Sequence, residues 1–137
     1  MNTNRLFPFA MAAAVALLSG CATQVAYTLT VQQTASSAAM VTSTEALAGY
    51  LMLSRPPVMV KTPTDRSRVQ LAVTNISQVD LEAHYRVRWF DDKGVELNSL
   101  DPEKKQVIPA GREALLEDTC LSGKAASYKF VLDLPVR

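Results

Sequence analysis

The residues whose types and spacing could do chemistry are concentrated in one short stretch of the chain. Glu82, His84, Arg86 and Arg88 occupy alternate positions there. Alternate residues of an extended strand point to the same side, so these four side chains would form one charged face. Two guanidinium groups spaced in this way can bind carboxylates or phosphates through paired hydrogen bonds. The alternative is that Glu82 and acidic residues on neighbouring strands pair with the arginines across the sheet.

The patterns of catalytic and metal-binding sites are missing from the sequence. His84 is the only histidine and neither cysteine is near it, whereas a metal site needs three or four convergent ligands. Asp91 and Asp92 precede Lys93-Gly94, the composition of a turn whose carboxylates bond to its own amides. No phosphate-binding loop or G-x-S-x-G motif occurs. We therefore expect no metal, no cofactor, no small-molecule substrate and no enzymatic activity.

The overall charge restricts the classes of partner. The chain of 137 residues holds 14 Lys and Arg against 13 Asp and Glu. Arg5 is the only one of these charges before Cys21, so the rest of the chain has no formal net charge. Binding to nucleic acid or to anionic lipid headgroups requires surplus basic charge. Nucleic acid is therefore not an expected partner.

The charged face lies on a strand that organises a β domain. From Leu81 to Trp89 apolar residues alternate with charged ones, as in a strand buried on one side. Asp91-Asp92-Lys93-Gly94 then predicts a tight turn, and alternation resumes at Val95, so the strand begins a hairpin. Trp89 falls on the buried side, like the tryptophan that β-sandwiches often carry on a central strand.

Other apolar segments predict the rest of the domain. Residues 47–61 form an edge strand split by Pro56-Pro57, because proline cannot donate to a sheet. Further strands cover residues 69–74 and 126–134, with another of uncertain phase at 114–116. Six or seven short strands without a long helix predict an all-β fold, a small β-sandwich. A five-stranded barrel is the alternative.

The first 20 residues have the pattern of a signal peptide. Arg5 supplies a positive charge, and the apolar run that follows it is too short to span a bilayer permanently. Leu18, Ser19, Gly20 and Cys21 together resemble the lipobox of bacterial lipoproteins, in which the first three are recognised by the signal peptidase and the thiol receives a diacylglyceryl group. The resemblance implies cleavage before Cys21 and a lipid anchor in a membrane that the protein does not span. An ordinary signal peptide with an incidental cysteine is the alternative.

Two consequences follow from lipidation of Cys21. Ala22 stands where the retention pattern of enteric bacteria has Asp, so the resemblance implies the outer membrane, facing the periplasm, rather than the inner membrane. Cys120 would then be a lone thiol, either buried as a small apolar side chain, which we expect, or free to form an intermolecular disulfide. Without a disulfide between them, the two sheets would be held together by packing alone.

Residues 21–45 are predicted to form a flexible tether that begins with the lipidated cysteine. Residues 22–44 have no charge and few large apolar side chains, so they cannot offset the entropy of ordering themselves. Such a tether would reach about 80 Å when extended. The apolar residues of 25–31 alternate, however, and a strand docked on the domain is the alternative there.

Several strands and turns together resemble one family. They are Tyr85-Arg86-Val87-Arg88-Trp89-Phe90-Asp91, Gly94, Val107-Ile108-Pro109-Ala110-Gly111 and Tyr128-Lys129-Phe130-Val131-Leu132, behind a lipobox. The set is similar to the YcfL-like family of bacterial periplasmic lipoproteins over residues 46–137. The resemblance implies an immunoglobulin-like fold in the cell envelope, and the activity of that family is poorly defined.

The sequence thus predicts a signal peptide at 1–20, a lipidated cysteine and tether at 21–45, and a β-sandwich domain at 46–137. We expect a membrane-anchored, non-enzymatic module of the cell envelope that binds a periplasmic protein. Binding would use the charged face or an exposed sheet edge. The alternative function is a structural envelope component that contacts peptidoglycan or associates with itself.

Overall fold

Two antiparallel sheets pack into a sandwich. The computed structural model describes residues 26–34, 37–97 and 103–135. Within these ranges the sheets contain ten strands and are accompanied by a short 3-10 helix, Glu45–Gly49. The strands are β1 (Thr28–Thr34), β2 (Met40–Ser43), β3 (Leu51–Leu53), β4 (Val58–Lys61), β5 (Ser67–Asn75), β6 (Leu81–Phe90), β7 (Glu96–Leu97), β8 (Lys104–Ile108), β9 (Glu113–Thr119) and β10 (Ser127–Asp133). The predicted all-β sandwich is confirmed, and the described strands form two separate sheets rather than one closed barrel. The predicted number of six or seven strands is too low, since ten are described.

The first sheet is built around β6. Its order is β2-β1-β10-β6, and both β7 and β8 pair with the remaining edge of β6. Ala83, Tyr85, Val87 and Trp89 are buried while the residues between them face outward, as the alternation predicts. This sheet therefore presents the charged face on its outer side.

The second sheet is built around β5. Strand β9 pairs with one edge of β5, and β3 and β4 share the other edge. Pro56-Pro57 lies between β3 and β4, so the predicted split edge strand is confirmed for residues 51–61, whereas residues 47–49 belong to the 3-10 helix. On β9 the structure settles the phase, because Ala114 and Leu116 are buried whereas Leu115 is exposed.

Aromatic side chains fill the middle of the core. The Tyr85 ring stacks on Phe130 with centroids 5.2 Å apart, and the Trp89 ring lies 5.7 Å from Tyr128. These residues belong to β6 and β10, whose pairing places Trp89 opposite Tyr128. Trp89 is 1% exposed, which confirms its predicted burial. Burial of such large rings is a main source of stability in a core of this kind.

The turn after β6 is built as predicted. The Oδ1 atom of Asp91 accepts hydrogen bonds from the amides of Lys93, at 2.9 Å, and Val95, at 2.8 Å. Gly94 has a φ of 81°, a conformation that glycine adopts without a steric penalty. The carboxylate of Asp91 therefore serves the turn.

Strands β1 and β2 lie in the segment that was predicted to be a flexible tether. β1 pairs with β10 along its whole length, and β2 pairs with β1. Leu29 and Val31 are buried in the core, so the alternation in this segment is that of a docked strand. The prediction of a flexible tether is wrong for both strands, because β10 supplies the hydrogen bonds and apolar surface that β1 lacks by itself, and β1 in turn supplies hydrogen bonds to β2. The predicted signal peptide, the lipobox and Cys21 lie outside the described residues.

Candidate functional site: the β6 face, the inter-sheet cluster and the sheet edge

The β6 face consists of Glu82, His84, Arg86 and Arg88, and the structure brings all four together. Glu82, Arg86 and Arg88 are exposed and His84 is partly buried. Their shared orientation follows from the two-residue period of the strand. The face is therefore charged and accessible, as predicted from the sequence.

His84 is held between two carboxylates. Its Nε2 atom lies 2.7 Å from Oε1 of Glu82, and its Nδ1 atom lies 3.4 Å from Oε1 of Glu103. Glu103 directly precedes β8, which pairs with β6 beside His84. Within the described ranges no group of three or more His, Cys, Asp and Glu could hold a metal ion. The imidazole is thus engaged by acidic neighbours.

Arg88 is paired across the sheet. Its Nε and Nη2 atoms donate to the two carboxylate oxygens of Glu96 on β7, at 3.0 and 2.8 Å. These hydrogen bonds, with the charge of the guanidinium, hold the pKa of Glu96 below its ordinary value. The guanidinium also lies 5.5 Å from the ring centroid of Phe90. The sequence-based alternative of cross-strand pairing is therefore confirmed for Arg88.

A polar cluster connects the two sheets, and sequence reasoning missed it. The Nε1 atom of Trp89 donates to Oδ2 of Asp118 at 2.7 Å, and both residues are buried. The ammonium of Lys104 lies 3.0 Å from Oδ1 of Asp118 and donates to the carbonyl of Glu117 at 3.1 Å. Trp89 and Lys104 belong to the first sheet and Asp118 to the second. The prediction that packing alone holds the two sheets together is therefore wrong.

Tyr85 extends this inter-sheet cluster. Its hydroxyl donates to the carbonyl of Glu117 on β9 at 3.4 Å. Burial raises the pKa of the Tyr85 hydroxyl, and the nearby Lys104 ammonium opposes that change. On β10, burial raises the pKa of Tyr128 to about 12. Both phenols therefore stay protonated at neutral pH and act as hydrogen-bonding groups of the core.

A groove lies at the end of the sandwich where β1 begins and β10 ends. Its volume is about 530 Å³. The rings of Tyr27 and Tyr50 meet edge to face at a centroid distance of 5.4 Å. The groove is lined by these rings together with Val79, Leu81, Glu82, His84 and Lys105, among others. We call it the tyrosine groove; its lining combines aromatic, apolar and charged side chains.

Strand β2 is the outer strand of the first sheet. Among the described strands it pairs with β1 alone. All four of its residues are exposed, including Met40 at 62% and Val41 at 44%. Natural edge strands are usually protected from further pairing by charges, proline or shortness. β2 is short, but it contains neither charge nor proline.

Cys120 is a free thiol buried in the core. It is 2% exposed and its amide donates to the carbonyl of Ser67 at 2.8 Å. The preferred sequence-based expectation, burial as a small apolar side chain, is confirmed. Such burial also shields the thiol from reaction with other molecules.

The segment from β2 to β10 is shared with other proteins. Residues 38–134 match a family described as a protein of unknown function, DUF1425. The chain belongs to this family. The DUF1425 match begins before β2, so β1 lies outside the matched residues and pairs with β10, which lies within them. No curated protein sequence matches the chain.

Solved structures include another DUF1425 member. The crystal structure of a member from Shewanella sp. pv-4 has 12% identity and a TM-score of 0.52, covering 60% of this chain and 79% of that one. Campylobacter jejuni cj0090 has 18% identity and a TM-score of 0.46, covering 55% and 79%. Envelope protein VP37 from White Spot Syndrome Virus has 8% identity and a TM-score of 0.46, covering 81% and 97%. The Shewanella similarity concerns the fold alone, and the other two support no conclusion about function. No helix in the described part of the chain is long and apolar enough to cross a membrane.

Proposed function

We propose that this DUF1425 protein is a lipid-anchored, non-enzymatic module of the bacterial cell envelope that binds a protein partner. The anchor rests on Leu18, Ser19, Gly20 and Cys21, whose pattern is that of a lipobox. Ala22 favours sorting to the outer membrane, with the domain in the periplasm. The finer assignment to the YcfL-like family rests on the resemblance over residues 46–137, which overlaps the DUF1425 match over 38–134.

The observation that carries the proposal is the exposed edge of β2, which pairs only with β1 among the described strands. A partner strand can add to an exposed sheet edge through backbone hydrogen bonds, while side chains at alternate positions provide specificity. β2 offers four exposed, uncharged residues for such an addition. Its neighbour β1 pairs with β10 along its whole length, so the edge belongs to a continuous sheet.

The β6 face is the less favoured binding surface. Arg88 already forms two hydrogen bonds with Glu96, and His84 contacts Glu82 and Glu103. A partner's carboxylate would have to displace these acidic neighbours before it could bind Arg88 bidentately. Exposed ion pairs of this kind contribute little stability. The charges of the face could still influence the rate of association at long range.

Crosslinking and mass spectrometry in intact cells would test the proposal. Three forms are compared: the native chain, an edge variant with Met40→Lys and Thr42→Lys, and a face variant with Arg86→Glu and Arg88→Glu. Charges on β2 should abolish capture of one specific envelope protein because they block strand addition. The face variant, which changes charge but leaves β2 intact, should still capture that protein.

Two results would count against this function. Capture that survives in the edge variant but disappears in the face variant would move the binding site to β6. Capture of other copies of the chain alone, or pelleting with purified peptidoglycan in the absence of any protein partner, would support a structural component of the envelope instead.

A further inference from the structure

We propose that the end of the sandwich carrying Tyr27 rests on the lipid surface, with Ile76 and Val79 inserted at the boundary between headgroups and acyl chains. We call this end, which also contains Tyr50, the proximal end. The inference rests on the lipid anchor at Cys21 that belongs to the proposed function. It adds a second contact with the membrane, made by the folded domain itself.

The length of chain after Cys21 places the proximal end near the bilayer. Because β1 is docked, only residues 22–27 separate the lipidated cysteine from the sheet. That segment spans about 20 Å even when fully extended. The headgroup region takes up about 6 Å of that reach on each side of a bilayer. By contrast, β6 alone is about 30 Å long, so the anchor keeps the proximal end much closer to the membrane than the opposite end.

Two exposed aliphatic side chains lie at this end. Ile76 is 47% exposed and Val79 is 57% exposed. The amide of Ile76 donates to the carbonyl of Tyr50 at 2.9 Å, and Val79 lines the tyrosine groove with Tyr27 and Tyr50. Tyrosine combines an apolar ring with a polar tip and is enriched where membranes meet water. The four side chains together suit the interfacial layer of a bilayer.

The loop that carries these two aliphatic residues is held in place by Asn75. The buried side-chain amide of Asn75 donates to the carbonyls of Val79 and Ile108, both at 2.8 Å. Its Oδ1 atom accepts from the amide and the hydroxyl of Ser77, at 2.9 and 2.7 Å. A loop already fixed in this way loses little conformational freedom when it inserts. Ile76 and Val79 are thus held in their exposed positions before the domain meets a membrane.

Charges at the proximal end favour apolar insertion over attraction to anionic lipids. Among the described residues Lys105 and Arg112 are outnumbered there by Asp80, Glu82 and Asp133, and Asp80 accepts a hydrogen bond from the amide of Ala110 at 3.0 Å. A surface that binds anionic headgroups needs a basic surplus, which the described residues of this end do not supply. Docking should therefore occur on zwitterionic lipid and should withstand added salt.

Quenching of tryptophan fluorescence by brominated lipid would test the docking. The chain from Cys21 onward is coupled through the Cys21 thiol to a maleimide lipid in brominated phosphatidylcholine vesicles; Cys120 is protected by burial. Val79→Trp places a reporter at the proximal end, and Val95→Trp places a matched one at the exposed turn of the opposite end, where Val95 is 59% exposed. Buried Trp89 gives the same background in both proteins.

Docking predicts a loss of fluorescence for Val79→Trp and no change for Val95→Trp, with the difference retained at about 0.5 M salt, where surface charge is screened. Adding Ile76→Asp to the Val79→Trp protein should reduce the quenching. Equal quenching at both positions, or quenching at neither, would overturn the inference. Because the lipid is coupled chemically, this result does not depend on lipidation in cells. The proposed anchor is tested separately, since it would be overturned if mass spectrometry found Cys21 unmodified in the cellular protein.

Discussion

Trp89 and Asp118 form a buried contact between the two sheets. The 2.7 Å hydrogen bond joins a buried indole to a buried carboxylate, and Lys104 compensates the charge of that carboxylate. Hydrogen bonds to ionised groups are stronger than those between neutral groups. A buried acceptor that loses its donor also costs free energy, because water cannot easily replace the lost partner.

Replacement of the indole donor should therefore destabilise the domain. Trp89→Phe keeps an aromatic ring but removes the N–H group, and we expect the free energy of unfolding to fall by about 3 kcal/mol. Tyr128→Phe is the matched control, since it removes a hydroxyl that donates to the neutral side chain of Gln33 at 2.9 Å, and should cost about 1 kcal/mol. Urea unfolding monitored by circular dichroism measures both. A loss for Trp89→Phe no larger than that of the control would show that the inter-sheet hydrogen bond contributes little.

Sequence patterns could predict the orientation of side chains but not their distant partners. Alternation placed Glu82, His84, Arg86 and Arg88 on one face correctly. The same alternation, extended from Leu116, would have placed Asp118 inward. Nothing local indicates that its partner is Trp89, because the two residues are on different sheets and 29 positions apart.

Among the structural elements, the β6–β7 turn depends most directly on one residue type. Gly94 has a φ of 81°, a region that residues with a Cβ atom rarely adopt. Gly94→Ala should lower the free energy of unfolding by about 1 kcal/mol, even though no atom lies within 4 Å of the added Cβ.

Gly49 provides the control for that substitution. It also has no atom within 4 Å of an added Cβ, and its φ is not positive. Gly49→Ala should therefore leave stability unchanged or raise it slightly, because alanine restricts the unfolded chain. Equal thermal unfolding midpoints for the two alanine variants would contradict the assignment of a backbone penalty to Gly94.

Strand β1 shows where composition is a poor guide to an element. Its segment is uncharged and rich in small residues, which is typical of a linker. Leu29 and Val31 nevertheless reach the core because every residue of β1 has a partner on β10. Order in this strand is a property of the assembled sheet. The closing strand β10 was predicted well because its own side chains alternate clearly.

At the scale of the whole molecule, the docking of β1 changes how the protein would meet its membrane. A tether of residues 21–45 would let the domain move far from the bilayer, whereas residues 22–27 allow about 20 Å. The proximal end would then face the lipid, and the β2 edge, which runs beside β1, would face sideways along the sandwich. Both proposed surfaces follow from the position of this one strand.

Hydrogen exchange of the backbone amides of β1 tests this account most directly. In the chain from Cys21 onward, amides of Thr28–Thr34 that bond within the sheet should exchange slowly, as those of the neighbouring β10 do. Val31→Asp, which places a charge at a fully buried position, should release β1 and make its amides exchange rapidly while β6 remains protected. Rapid exchange throughout β1 in the unsubstituted protein would contradict the account, because the segment would then be the long tether that its composition indicates.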